Sequence, residues 1–242
     1  MIRFHHIAIA LPRITEAAPL LAGVLGGVPD HGGPSGPYRW GQWRYRDGGR
    51  IEILEPMGED GFLHRFLAAR GRGIHHVTFH VPDLHEACRR AEAHGYAIVG
   101  RSDSDPRWQE AFLHPKQALG IVVQLTASSD PDADSGMGGW TPPPPPAVLP
   151  PAVRVLGLRL RARSAERART QWHAVIGGSE AGDADGTLLY AWPDSAMRIA
   201  VEIDPRAQEG PLAIEVASER ALDLPAGAHP ALGAAIVQRG AA

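Results

Sequence analysis

The chain has 242 residues, 44% of them hydrophobic and 21% charged, with a formal net charge of -3. That composition fits a globular protein with one large or two small domains and excludes a strongly basic nucleic-acid binder. The single cysteine, Cys88, rules out an intrachain disulfide and suits a reducing cytoplasmic setting, and no apolar run approaches the roughly 18 residues of a membrane span.

The first element is an alternating strand in "FHHIAIALPRITEA" (4–17), and it returns as "IHHVTFHVPDLHEA" (74–87). His6 recurs as His76, an offset of 70 residues, which is too long for a solenoid unit and suits a duplicated small module. In the first copy His5, Ile7, Ile9 and Leu11 share one face, while Phe4, His6, Ala8 and Ala10 share the other. In the second, His75, Val77, Phe79 and Val81 oppose His76, Thr78 and His80.

A helix is expected after each strand. The first carries Ile14, Ala17, Ala18, Leu21 and Leu25 and stops at Gly26-Gly27. The second carries Leu84, Ala87, Cys88 and Ala91, with Asp83 as its cap and Gly95 as its end. Further strands are expected at 38–45 and 50–56 in copy one and at 109–114 and 120–126 in copy two, so each copy reads βαβββ.

Residues 127–152, "ASSDPDADSGMGGWTPPPPPAVLPPA", read as a linker. Its acidic, glycine-containing part should be flexible and its five consecutive prolines a stiff spacer. A fainter third copy follows from residue 153, with strands at 187–192 and 197–203, and "PLAIEVA" (211–217) opens a truncated fourth. The expected organisation is a two-module domain at 1–126, the linker, and a degenerate half at 153–242.

Four strands place a metal-capable residue opposite their apolar face: His6, Glu52, His76 and Gln124. Curved sheets that pair the two copies would bring these side chains together. Two imidazoles and a carboxylate suit a divalent transition ion, and an amide oxygen can complete the set. A lone histidine on a strand is ordinarily a satisfied or solvated residue. The internal symmetry of His6 with His76 is what favours a site, while His5 and His75 read as structural.

The segments "HHIAIALPRI", "IEILEPMGEDGFLHRFLAARGRGIHHVTFHVPDL" and "FLHPKQALGIVVQL" resemble the vicinal oxygen chelate superfamily of glyoxalase I and the bleomycin-resistance proteins, and within it the methylmalonyl-CoA epimerases. The resemblance covers about half the chain. It implies an α+β fold of paired βαβββ modules forming a cup, and a divalent ion (Co, Ni, Mn, Zn or Fe) held by His6, Glu52, His76 and Gln124. It also implies a small-molecule substrate such as a CoA thioester, isomerised by enolisation, while charge and the lack of a long apolar run point to no nucleic-acid or membrane partner. Pairing within one chain and pairing in a homodimer both satisfy this layout.

The sequence departs from the epimerase pattern at three places. The last ligand is Gln124 where the family carries glutamate, and the stretch "GGPSGPYRWGQ" lacks an acid. In the added half, the matching positions Gly157, Ala200 and Ala213 have no ligating side chain. An amide cannot take a proton at neutral pH, so the base must come from elsewhere. His80 and Glu110 are the candidates, each against a solvated strand residue as the plainer reading. Lys116, Arg101 and Arg107 could meet an anionic substrate or form a solvated turn. The competing functions are a glyoxalase I-type lyase and a non-catalytic binder of a metal or small molecule; a ring-cleaving dioxygenase is disfavoured.

Overall fold

The computed structural model describes residues 1–129, 140–182 and 185–240. The architecture is α+β, mostly strands, in two curved and unclosed sheets. The first has eight strands: β1 (Arg3–Ala10), β2 (Val28–Ser35), β3 (Tyr38–Arg44), β4 (Arg50–Pro56), β5 (Gly73–His80), β6 (Ile98–Ser102), β7 (Gln109–Leu113) and β8 (Val122–Ala127). Their order is β2-β3-β4-β1-β5-β8-β7-β6, so each half runs outward from its own first strand.

The second sheet has seven strands: β9 (Arg154–Ala162), β10 (Ser179–Gly182), β11 (Leu188–Ala191), β12 (Arg198–Ile203), β13 (Gly210–Ala217), β14 (Ala228–His229) and β15 (Ala234–Arg239). Their order is β10-β11-β12-β9-β13-β15-β14. No helix among the described residues is long and apolar enough to cross a membrane.

The chain divides into two compact units. One contains Met1–His6 and the described parts of His76–Asp132 and Gly157–Leu212. Here β5 pairs parallel to β8 with Thr78 opposite Gln124, and β8 pairs antiparallel to β7 with Thr126 opposite Glu110. The helix α1, named here for Leu84–Ala93 in this unit, buries Leu84, Ala87, Cys88 and Ala91, the expected stripe. Asp83 caps it by accepting from the Glu86 amide at 2.9 Å. Burial pushes the Cys88 thiol pKa up, which makes it an inert core group. An aromatic cluster fills the centre: Phe4 stacks on Phe79 at 4.8 Å, and Trp192 lies 4.7 Å from Phe79.

The other unit contains Ile7–His75, the described parts of Ala133–Leu156, and the described part of Ala213–Ala242. β1 pairs parallel to β4, with Ala8 opposite Glu52, and Gln42 of β3 lies on the other side of Glu52. The segment expected to be one helix at 14–25 is a 3-10 turn, Ile14–Glu16, followed by a π-helical segment, Pro19–Val24. Pro19 has no N–H for an α-helical ladder, which accounts for the break. A second helix in this unit, α2 (Phe62–Arg70), was not anticipated. It packs Leu63, Phe66 and Leu67 over Ala8, Ala10 and Leu54, on the face that also carries Glu52. Full burial of Leu63 contributes about 2 kcal/mol.

The acidic, glycine-containing stretch of the linker falls at 130–139, outside the described residues. Residues 140–152 carry no helix or strand. Trp140 nevertheless has a defined seat: its indole lies against Gly32 and Gly41 and meets the Trp43 ring edge-on at 5.7 Å. A Cβ at Gly41 would come within 2.5 Å of that indole, so only glycine leaves room for it.

In the second sheet, ion pairs occupy the positions near those that would match the ligands. Arg159 donates to Glu202 at 3.0 Å and to Thr187 at 3.2 Å. Glu215, fully buried, accepts from Arg239 Nε at 2.8 Å.

Candidate metal centre

His6, Glu52 and His76 are all buried, and each offers a ligand atom within 4.8 Å of the others'. Their positions follow from strand geometry: each lies on the face opposite the Ile or Val residues of its own strand. The His6 and His76 rings meet edge-on with centroids 5.7 Å apart. Gln42 Nε2 donates to Glu52 Oε2 at 2.8 Å, which orients the carboxylate. Two imidazoles and one carboxylate at this spacing fit a divalent transition ion.

Gln124 is buried beside this group and is held at both ends of its amide. Oε1 accepts from the Thr78 hydroxyl at 2.6 Å, and Nε2 donates to Glu110 Oε2 at 2.8 Å. Thr78 Oγ1 also lies 2.9 Å from His6 Nε2, which ties Gln124 to the histidine of the first strand. Trp108 Nε1 adds a second donor to Glu110 Oε2 at 3.2 Å. Glu110 thus puts a carboxylate within hydrogen-bond distance of the Gln124 amide.

His80 lies on the same strand as His76, with Nδ1 3.1 Å from Thr126 Oγ1. Its ring meets His5 edge-on at 4.3 Å and Trp108 at 6.2 Å. His5 itself departs from the expected alternation: its Nδ1 lies 2.7 Å from Nδ1 of His6, the next residue along the strand. Strict pleating sends adjacent side chains to opposite faces, and the two rings nevertheless meet edge-on with centroids 5.0 Å apart. His75 packs instead against α2, with Phe66 at 4.8 Å and Phe62 at 5.5 Å. Burial lowers its pKa to about 4, with the Glu52 charge opposing and Arg70 reinforcing that shift.

The two cationic arginines are engaged with acids. Arg101 bonds Asp103 at 2.8 Å through Nε, and Arg107 bonds Asp105 at 2.8 Å through Nη2. Lys116 donates its backbone amide to His114 Nδ1 at 3.2 Å. The group that sequence reasoning passed over is Thr78, whose polar side chain shares the strand face of His76 and His80 and is fully buried.

The eight-stranded sheet and the His–Glu–His group together define a two-module α+β protein with a candidate metal centre. The family model of the Glyoxalase/Bleomycin resistance protein/Dioxygenase superfamily matches residues 5–113. The mitochondrial methylmalonyl-CoA epimerase of Dictyostelium discoideum is 30% identical over 132 residues, covering 51% of this chain and 76% of that protein. The ethylmalonyl-CoA/methylmalonyl-CoA epimerase of Cereibacter sphaeroides is 30% identical over 136 residues, covering 51% of this chain and 96% of its own. A mutant of 4-hydroxymandelate synthase from Streptomyces coelicolor shares the fold over 90% of this chain and 71% of that one, with a TM-score of 0.64 and 11% identity. The chain belongs to the glyoxalase/bleomycin resistance protein/dioxygenase superfamily.

Proposed function

We propose that the protein is a metal-dependent isomerase that moves a proton next to the carbonyl of a small acyl thioester. The observation that carries this reading is the His6, Glu52 and His76 group with the Gln124–Glu110 pair beside it. The relatives named as epimerases of methylmalonyl-CoA support the substrate class.

A divalent ion held by His6, Glu52 and His76, with Gln124 Oε1 as a further donor, would supply Lewis acidity to the thioester carbonyl. The chain's own residues handle the proton. Epimerisation needs one proton carrier on each side of a planar intermediate. Glu110 is one: Oε2 is fixed by Gln124 and Trp108, and Oε1 is the atom offered to the substrate. His80 is the other. Its Nδ1 lies 3.1 Å from Thr126 Oγ1, which sets the ring's orientation on the strand.

The test is α-proton exchange. Methylmalonyl-CoA is incubated with the cobalt-loaded protein in deuterated water, and deuterium uptake is read by mass spectrometry. Uptake that depends on both the ion and Glu110 supports the reading. Consumption of a hemithioacetal without exchange would assign the glyoxalase I-type lyase instead. Neither reaction, together with a ligand-induced rise in melting temperature, would make the chain a binding protein.

A further inference from the structure

We infer that Thr78 is a positioning residue that fixes the tautomer of His6 and the orientation of the Gln124 amide, joining them in a one-way hydrogen-bond chain that ends on Glu110. The argument begins at the hydroxyl. Thr78 Oγ1 lies 2.6 Å from Gln124 Oε1 and 2.9 Å from His6 Nε2. A hydroxyl has a single proton, and Gln124 Oε1 can only accept. The proton therefore points to Gln124, and His6 must donate from Nε2 to Thr78.

A neutral imidazole with its proton on Nε2 carries its lone pair on Nδ1. That nitrogen lies 2.7 Å from His5 Nδ1, so His5 is the donor there. At the other end the Gln124 amide, with its oxygen turned to Thr78, has its NH2 turned to Glu110 Oε2 at 2.8 Å. Every link then has one donor and one acceptor: His5 to His6, His6 to Thr78, Thr78 to Gln124, Gln124 to Glu110. Thr78, His6 and Gln124 are all buried, so water does not compete for these bonds.

The chain bears on how the site takes an ion. An ion accepted by His6 through Nδ1 must exchange with the His5 contact, and one accepted through Nε2 must turn over the tautomer that Thr78 holds. Thr78 is thus a selector between two ways of loading. It acts through His6 and Gln124 and need not touch the substrate.

The experiment is long-range proton–nitrogen NMR correlation on histidine-labelled protein treated with a chelator. Wild type and Thr78→Ser, which keeps the hydroxyl, should both show His6 protonated on Nε2. Thr78→Val removes the acceptor, and Gln124→Leu frees the Thr78 proton to turn toward His6. Each should move His6 substantially to the Nδ1-protonated form. A wild-type His6 protonated on Nδ1, or a tautomer that neither variant moves, would overturn the inference. This readout involves no turnover. A chain confirmed by NMR alongside absent proton exchange would refute the proposed reaction and leave the role of Thr78 standing.

Discussion

Gln124 and Glu110 are a matched pair: the amide nitrogen of one lies 2.8 Å from a carboxylate oxygen of the other across the β7–β8 register. An amide donates where a second carboxylate would repel. Position 124 holds an amide where the resemblance to the epimerases leads one to expect an acid, and a carboxylate from the neighbouring strand stands next to it. The chemistry proposed above rests on that relocation.

Glu110→Gln should therefore lower α-proton exchange by at least about 100-fold, the scale of a lost general base. Metal content should stay at the wild-type level, because Glu110 is not among the three residues of the His–Glu–His group. Exchange within a few-fold of wild type would remove Glu110 from the mechanism. Loss of bound metal would recast it as a support of the site.

The seat of Trp140 predicts a non-additive pair. Gly41→Ala forces a methyl into the indole and should destabilise by about 1–3 kcal/mol in urea unfolding. Trp140→Ala should cost about 2 kcal/mol by opening a gap over Trp43. In the Trp140→Ala background the methyl at position 41 has room, so its cost should fall by about 1 kcal/mol or more. Strictly additive effects would mean that the indole does not occupy this position in solution.

The second sheet should depend on its internal ion pairs. Glu215 is fully buried and accepts from both Nε and Nη2 of Arg239, at 2.8 and 2.7 Å. Arg239 is partly exposed, so the cost of Glu215→Ala is set at about 2 kcal/mol, below that of a fully buried pair. A change under about 0.5 kcal/mol would show that the pair contributes only geometry.

Period-two patterns were legible where a strand has one apolar face. "RIEILEP" is β4 from its first residue to its last, and the stretches around Glu110 and Gln124 are β7 and β8 within two residues. The same parity picks out His6, Glu52 and His76, because a polar side chain opposite Ile or Val stands out in such strands. Three features were not legible. His5 meets His6 ring to ring along one strand, a contact that alternation does not encode. Helix α2 was passed over although Phe62, Leu63, Phe66 and Leu67 recur at helical spacing. The seat of Trp140 depends on two distant glycines, Gly32 and Gly41, that local sequence does not connect.

The most direct test is metal content by elemental mass spectrometry, after incubation with Co, Ni, Mn, Fe and Zn ions and desalting, on wild type and His76→Ala side by side. About one ion per wild-type chain, lost in His76→Ala, is the expected result. No retained ion in wild type, or equal retention in the variant, would contradict a metal centre at His6, Glu52 and His76.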